Sequence, residues 1–457
     1  MTDFVSPRVA EPSSAVPGID WPALPEPVGA SMLALQFQLQ QSQWWSLEEI
    51  RAHQLRQFQA LLAHVVVQTD WYGQQAAFVE LADSPEIIDE QLFSQLPLLC
   101  RSELQQNLPA LTASEIPPAH GQRLDLATSG STGTPLTGFE TEINNFFWGG
   151  CNLRDHLWHD RDLSAKFAAI RTKVDQQTLP DWGRAIACAF NTGPAVTLDI
   201  ATPVTDQVDW LVAQQPGYLL SHASNLQALA RQILAMGTEV ESLQGIISFG
   251  EKLPADLRAL CDQAWNATLT DIYSAEEVGY IALQCPSEPA HYHVMAEQLI
   301  VEIIDAEGNP CEPGQWGEVV ITSLHNFAMP LIRYRIGDFA RVGEVCGCDR
   351  GLPVITEIMG RGRNMITLPD GSQHWPSFPA ELWLGVAPIQ QLQLEQLSRQ
   401  QILVHYQLER PLSLDQSAQL RRQLAESLHY PGSIEFEHHL APLTEPGQKF
   451  EDFVSRL

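Results

Sequence analysis

Between residues 128 and 135 the chain reads Thr-Ser-Gly-Ser-Thr-Gly-Thr-Pro, five hydroxyl side chains and two glycines in eight positions. Glycine lets the backbone approach a ligand closely, and N–H and hydroxyl groups gathered in a turn form a concave set of donors suited to phosphate oxygens. The loop is not a Walker A motif, since no Lys-Ser/Thr follows Gly133. Taken alone it reads equally well as an ordinary Ser/Gly surface turn. A second set, Cys285, His293, Cys346 and Cys348, has the residue types of a closed Cys3His zinc site. Its spacing is unlike the tight finger pattern, and the alternative is three buried cysteines beside a surface histidine. His291 competes with His293 as the fourth ligand. Phe147 and Trp148, following the loop, and Phe249 suit the lining of a flat acid-binding pocket, although aromatic clusters are more often plain core.

The rest of the composition narrows what such a site serves. The chain has 457 residues with 26 Lys+Arg against 55 Asp+Glu, a formal charge of -29. That field repels nucleic acid and anionic lipid, so neither is an expected partner. A nucleotide is still admissible, because a phosphate site is made locally from backbone N–H groups and one or two cations. With 44% hydrophobic and 18% charged residues, the chain can bury enough apolar surface to exclude global disorder. No basic segment followed by an apolar run opens the sequence and no apolar stretch is long enough for a membrane span, which reads as a cytoplasmic protein. Eight cysteines spread over this length do not suggest a disulfide framework.

The elements that must hold these residues follow from periodicity. Residues 1–30 contain six prolines and little pattern, predicting an irregular arm. Ser46-Leu-Glu-Glu49 reads as a capping box ahead of Ile50, Leu55, Phe58, Leu62 and Val66, an amphipathic helix. From Leu124 to Tyr273 short β-type runs alternate with longer helical ones: Leu124–Thr128 then Glu140–Trp158, Tyr218–Ser221 then Leu226–Met236, Gly245–Phe249 then Pro254–Trp265. That rhythm predicts an α/β layer with a largely parallel sheet. Residues 293–360 change to short strands with Gly/Pro turns, a small β-rich subdomain. The expected division is thus an arm (1–30), a large domain (31–360) and a small α+β C-terminal domain (361–457).

The order of motifs adds a resemblance. Thr128–Pro135, Tyr273-Ser-Ala-Glu-Glu277, Arg333-Tyr-Arg-Ile-Gly-Asp338, Gly360-Arg-Gly-Arg363 and Lys449 together resemble the adenylate-forming superfamily of acyl-CoA synthetases, peptide-synthetase adenylation domains and luciferases. Gly250-Glu251, Ala328-Met-Pro-Leu-Ile-Arg-Tyr334 and Gly447-Gln-Lys-Phe450 are similar to the phenylacetate-CoA ligase branch. The likeness spans roughly residues 90–457.

The resemblance implies ATP, Mg2+ and coenzyme A as cofactors, and a site made of named residues. Thr128, Ser129, Gly130, Ser131, Thr132 and Gly133 would orient the phosphates. Glu277 would hold magnesium, Asp338 would accept from both ribose hydroxyls, Tyr273 and Gly250 would lie beside adenine and Arg361 beside the ribose, with Glu251 and Ser274 also in the nucleotide site. Lys449 would bridge the attacking carboxylate and the α-phosphate as charge builds. Arg363 would be the hinge about which the C-terminal domain swings. Relatives of this branch often carry a cysteine set like the one above, which favours structural zinc. Thr134, Ser274, Glu276 and Arg363 depart from the usual residues of the motifs.

The implied reaction joins a small carboxylic acid, aromatic or arylacetic by default, to a thiol through an acyl-adenylate. A carrier protein or an amine is the alternative acceptor. A nucleotide-binding regulator without catalysis is the alternative of another class. A homodimer would be in keeping with similar ligases.

Overall fold

The computed structural model describes residues 11–84, 88–127, 137–361, 365–374, 376, 378, 380–441, 443 and 452–457. Five strands lie parallel in the order Ala195–Asp199, Phe167–Arg171, Tyr218–Ser221, Gly245–Phe249, Thr268–Ala275. Parallel neighbours need crossovers, supplied by the helices Val204–Gln214, Ala223–Met236 and Leu257–Trp265. Their apolar faces meet the strands in a core built on Leu211, Leu226, Leu229, Ile233, Ile246 and Leu269. Phe167-Ala-Ala-Ile-Arg171 escapes the sequence pattern because alanine carries little strand signal.

At Thr268–Ala275 the polarity changes. Gly279–Gln284 pairs antiparallel with it, and Tyr292–Val294, Val354–Arg361, Tyr334–Val342, Trp316–Ser323 and Leu299–Ile304 continue outward. The β-rich stretch is therefore hydrogen-bonded without a break to the parallel strands in one twelve-stranded sheet. The run before the glycine loop, Arg123–Ala127, does not join it. It pairs with Thr137–Thr141 in a separate hairpin. The following helix starts at Glu142 rather than Glu140, because Thr141 Oγ1 accepts the Asn144 N–H and caps it.

The capping box at Ser46 is formed: Ser46 N–H donates to Glu49 Oε2 at 2.8 Å and Glu49 N–H to Ser46 Oγ at 3.2 Å. The helix it opens, Leu47–Gln68, buries Ile50, Leu55, Phe58, Leu62 and Val65. Residues 11–26 contain no helix, yet Asn191 N–H donates to the Glu11 carbonyl and Ser13 N–H to the Ala189 carbonyl. A helix over Pro27–Ser42 follows. Near the C-terminus a four-stranded sheet runs Ser433–His439, Gln401–Gln407, Gln391–Ser398, Phe453–Ser455, with the helix Leu414–Ser427 burying Leu420 and Leu424 against it. No helix among the described residues is long and apolar enough to cross a membrane.

Candidate active site

In an open α/β sheet the crevice beyond the carboxyl ends of the strands is the default ligand site. Gly250 lies there, directly after Phe249, with φ +73°. A side chain at that φ is strained, so the turn requires glycine. His222, at the end of the neighbouring strand, packs tilted against Phe249 with ring centroids 4.4 Å apart. Glu251 faces elsewhere than expected. Its Oε2 accepts the Ser224 N–H at 2.8 Å, in the first turn of Ala223–Met236, where a carboxylate satisfies an otherwise unpaired donor.

Tyr273 lies two residues before the end of the next strand, Thr268–Ala275. Its hydroxyl donates to Asp338 Oδ2 at 2.8 Å, although three strands separate theirs in the sheet order. A flat sheet would hold them roughly 19 Å apart. The antiparallel half therefore curls back over the carboxyl edge of the parallel half, and this curl brings the two motifs together. Asp338 also stands opposite Arg361 in register, so the backbone of the third motif arrives at the same place. The Arg361 side chain lies outside the described residues.

A bulge between Tyr273 and Ser274 re-aims the side chains that follow it. In the turn 276–278 beyond the strand the two adjacent carboxylates diverge: Glu276 is exposed while Glu277 is 7% exposed. Glu277 Oε1 accepts from Arg101 Nη1 at 3.1 Å. The turn ends at Gly279, φ +78°, where an added Cβ would lie 3.2 Å from the ring of Trp148. Trp148 thus packs on the Glu277 turn and meets Tyr280 edge-on. Phe147 stacks flat on His325, centroids 3.9 Å apart, and burial pushes the His325 imidazole down to about 4.

Arg101 has no signal in the sequence; packing delivers it. Leu99 N–H donates to the Arg333 carbonyl and Arg335 N–H to the Leu99 carbonyl, both at 2.9 Å. The Arg333 guanidinium reaches across to the carbonyls of Ser94 and Leu96 and forks on Glu302. Arg333, read as part of a nucleotide motif, is thus the clamp that fixes the segment presenting Arg101. Residues 128–136, Arg363 and Lys449 lie outside the described residues.

Away from this crevice, Cys285, His293, Cys346 and Cys348 converge, their ligand atoms all within 4.8 Å of one another. Cys285 and Cys346 Sγ are 3.8 Å apart, and Cys348 Sγ is 3.2 Å from His293 Nε2. Tetrahedral bonds of about 2.3 Å separate two thiolates by roughly 3.8 Å. His293 is fully buried, and burial reinforced by Arg350 pushes its imidazole down to about 4. It is neutral at physiological pH, as a ligand must be. His291 is not in the cluster; its carbonyl accepts the Cys285 N–H.

No family model matches the chain. It is 26% identical over 365 residues to a phenylacetate-coenzyme A ligase of Pseudomonas putida, covering 76% of this chain and 77% of that one. It is 24% identical over 379 residues to the Escherichia coli ligase of the same name, 80% of each. A third, from Thermus thermophilus, is 25% identical over 256 residues, and the match spans about half of each chain, 52% and 54%. The fold is similar to that of 2-hydroxyisobutyryl-CoA ligase in a postadenylation state, with TM-score 0.70, 14% identity and 91% of both chains covered. An anthranilate CoA ligase bound to anthranoyl-AMP gives TM-score 0.51 at 14% identity, over 71% of this chain and 65% of that one.

A curled sheet whose parallel half ends at Gly250 and Tyr273, and whose antiparallel half returns Asp338 to them, has the architecture of an adenylate-forming ligase. In sequence the chain is similar to the two phenylacetate-coenzyme A ligases over about four fifths of its length.

Proposed function

We propose that the protein activates a carboxylic acid with ATP, giving an acyl-adenylate and pyrophosphate, and then passes the acyl group to coenzyme A with release of AMP. The observation that carries this reading is the Tyr273–Asp338 hydrogen bond at the carboxyl edge of the sheet, one strand from Gly250. It holds the Asp338 carboxylate fixed, with its second oxygen and remaining lone pairs available to a ribose diol. Tyr273 and Gly250 follow paired residues of neighbouring strands, Ile272 and Phe249, and the His222 ring lies 3.4 Å from where a Gly250 side chain would begin, so a planar base is proposed to lie along this edge.

The remaining roles extend this frame. Ser129, Ser131 and Thr132, with the loop N–H groups, orient the phosphates. Glu277 has the hard oxygen donors that Mg2+ requires, and Arg101 holds that carboxylate in place. Magnesium held by Glu277 would supply charge neutralisation to the phosphates, and Lys449 adds the cation that spans acid and α-phosphate. The acid's carboxylate oxygen attacks the α-phosphorus and pyrophosphate leaves. The coenzyme A thiolate then attacks the acyl carbon and AMP leaves. Rotation about Arg363 exchanges the lysine for the thiol between the two steps. Phe147, Trp148 and Phe249 border the acid, and an aromatic or arylacetic acid is the substrate that such rings suit.

Pyrophosphate release across a panel of carboxylic acids tests the reading. Release with an arylacetic or benzoic acid, and formation of the thioester only with coenzyme A, is the expected result. Release that is indifferent to coenzyme A would point to a carrier protein or amine. ATP binding with no turnover of any acid would overturn the assignment in favour of a nucleotide-binding regulator.

The Cys285, His293, Cys346 and Cys348 cluster is proposed to hold structural zinc. Elemental analysis of the purified chain should return one equivalent at this site, lost in Cys346→Ser. Retention of that equivalent by Cys346→Ser would remove the site.

A further inference from the structure

The open face of the C-terminal sheet carries a second convergence of ligand atoms. Alternation puts residues 395, 405, 437 and 439 on the side opposite the helix Leu414–Ser427, since the intervening Leu394, Val404 and Tyr406 are buried with Leu420 and Leu424. Parallel register sets His405 beside Glu437 and Gln407 beside His439. His405 Nδ1 is 3.1 Å from His439 Nε2 and 3.3 Å from Glu437 Oε2, and the three ligand atoms all lie within 4.8 Å of one another.

The opposite nitrogen of His405 decides what this convergence means. Nε2 donates to Glu395 Oε2 at 3.1 Å, and the other oxygen of that carboxylate accepts from Arg456 Nε at 2.6 Å. Glu395 therefore fixes the His405 proton on Nε2, which leaves the Nδ1 lone pair aimed at a second imidazole and a carboxylate. A hydrogen on His439 Nε2 would satisfy one pair of these atoms, whereas a metal ion satisfies all three. A histidine that donates its far N–H to a carboxylate while offering the other nitrogen inward is the usual arrangement around a bound metal. Ligand bonds of about 2.0–2.2 Å place neighbouring N and O ligands roughly 2.9–3.5 Å apart, which fits His405 Nδ1 to each of its two partners, while His439 and Glu437 stand within 4.8 Å of each other.

We infer that this face binds a first-row divalent metal ion through His405 Nδ1, His439 Nε2 and a Glu437 oxygen, with Glu395 as the positioning residue. Two imidazoles and one carboxylate select zinc, nickel or copper over magnesium or calcium. Glu437 is about half exposed, at 52%, so further coordination positions face solvent. The site shares no residue with the cysteine cluster.

Zinc is the probe. After equilibrium dialysis of the full chain against Zn2+ at neutral pH, the wild type should retain one equivalent more than either His439→Asn or Glu437→Gln. Cys346→Ser should keep that extra equivalent. Glu395→Gln should bind at the same stoichiometry about tenfold or more weakly. All four substitutions except Cys346→Ser are on the solvent face, and thermal melts in EDTA check that the fold is retained. Should His439→Asn melt early, Glu437→Gln carries the comparison. Equal zinc content in the wild type and Glu437→Gln overturns the site and leaves a proton as the cation between the imidazoles. Undiminished affinity in Glu395→Gln overturns its positioning role.

Discussion

Alanine at Lys449 is expected to slow acyl-adenylate formation by about 10²–10³-fold, the loss typical when one preorganised charge is removed from a transition state. Transfer to coenzyme A from chemically prepared acyl-adenylate should continue at the wild-type rate. The chain has few other lysines to substitute. It contains four lysines, at 166, 173, 252 and 449. Lys166 is committed to the Gln214 carbonyl at 2.7 Å. Lys252, two residues beyond Gly250, is the informative control, because it is the lysine nearest in sequence to the crevice. Exchange of labelled pyrophosphate into ATP reads the first step and thioester formation the second. A normal exchange rate in Lys449→Ala, with a collapse in Lys252→Ala, would transfer the role and end the two-conformation account.

Arg333→Met should cost about 3–5 kcal/mol of stability, the usual consequence of leaving one member of a buried ion pair alone. Arg333 is 4% exposed and donates to Glu302 at 3.1 and 2.9 Å and to the Leu96 carbonyl at 2.6 Å. Burial raises the Glu302 carboxyl even beside the guanidinium, so an unpaired Glu302 would be worse placed still. Denaturant unfolding of Arg333→Met, Glu302→Gln and the double variant measures it. The double variant should lose less than the sum of the singles, because the stranded charge is gone. A single-variant loss under about 1 kcal/mol is the value of a solvated pair and would contradict the buried clamp. Arg333→Met should also lower turnover at conditions where it is folded, since the segment presenting Arg101 loses its anchor.

Local chemistry was the legible part of this molecule. Ser46 and Glu49 cap a helix because the bond is made within four residues. The Tyr218–Phe249 strands and helices announce themselves by apolar runs of the right length, and the four zinc-type ligands by their chemistry. What stayed hidden depends on distant segments meeting. Arg101 sits in Leu-Leu-Cys-Arg-Ser, which is featureless until Arg333 pins it beside Glu277. The separate fates of Glu276 and Glu277 are set in the three-residue turn that holds them, which no periodicity records. Phe147 and Phe249 look alike as pocket aromatics, and each proves to pack on a histidine from another element, Phe147 stacked on His325 and Phe249 tilted against His222. The motif order pointed to Tyr273 and Asp338 individually; only the curl of the sheet makes them partners.

That curl also bears on how the site assembles as the chain folds. Tyr273 and Asp338 are 65 residues apart, Arg101 and Glu277 176. Closing the longer loop costs only about 0.9 kcal/mol more than the shorter, because loop entropy grows with the logarithm of length. Sequence distance is thus a minor tax on this crevice. The hydrogen bond can form once the region from Thr268 to Arg361 has paired, whereas the salt bridge must await the helices before it. Nascent chains that have completed the sheet but not docked residues 94–106 would hold the ribose-side carboxylate in position while Glu277 lacked its guanidinium.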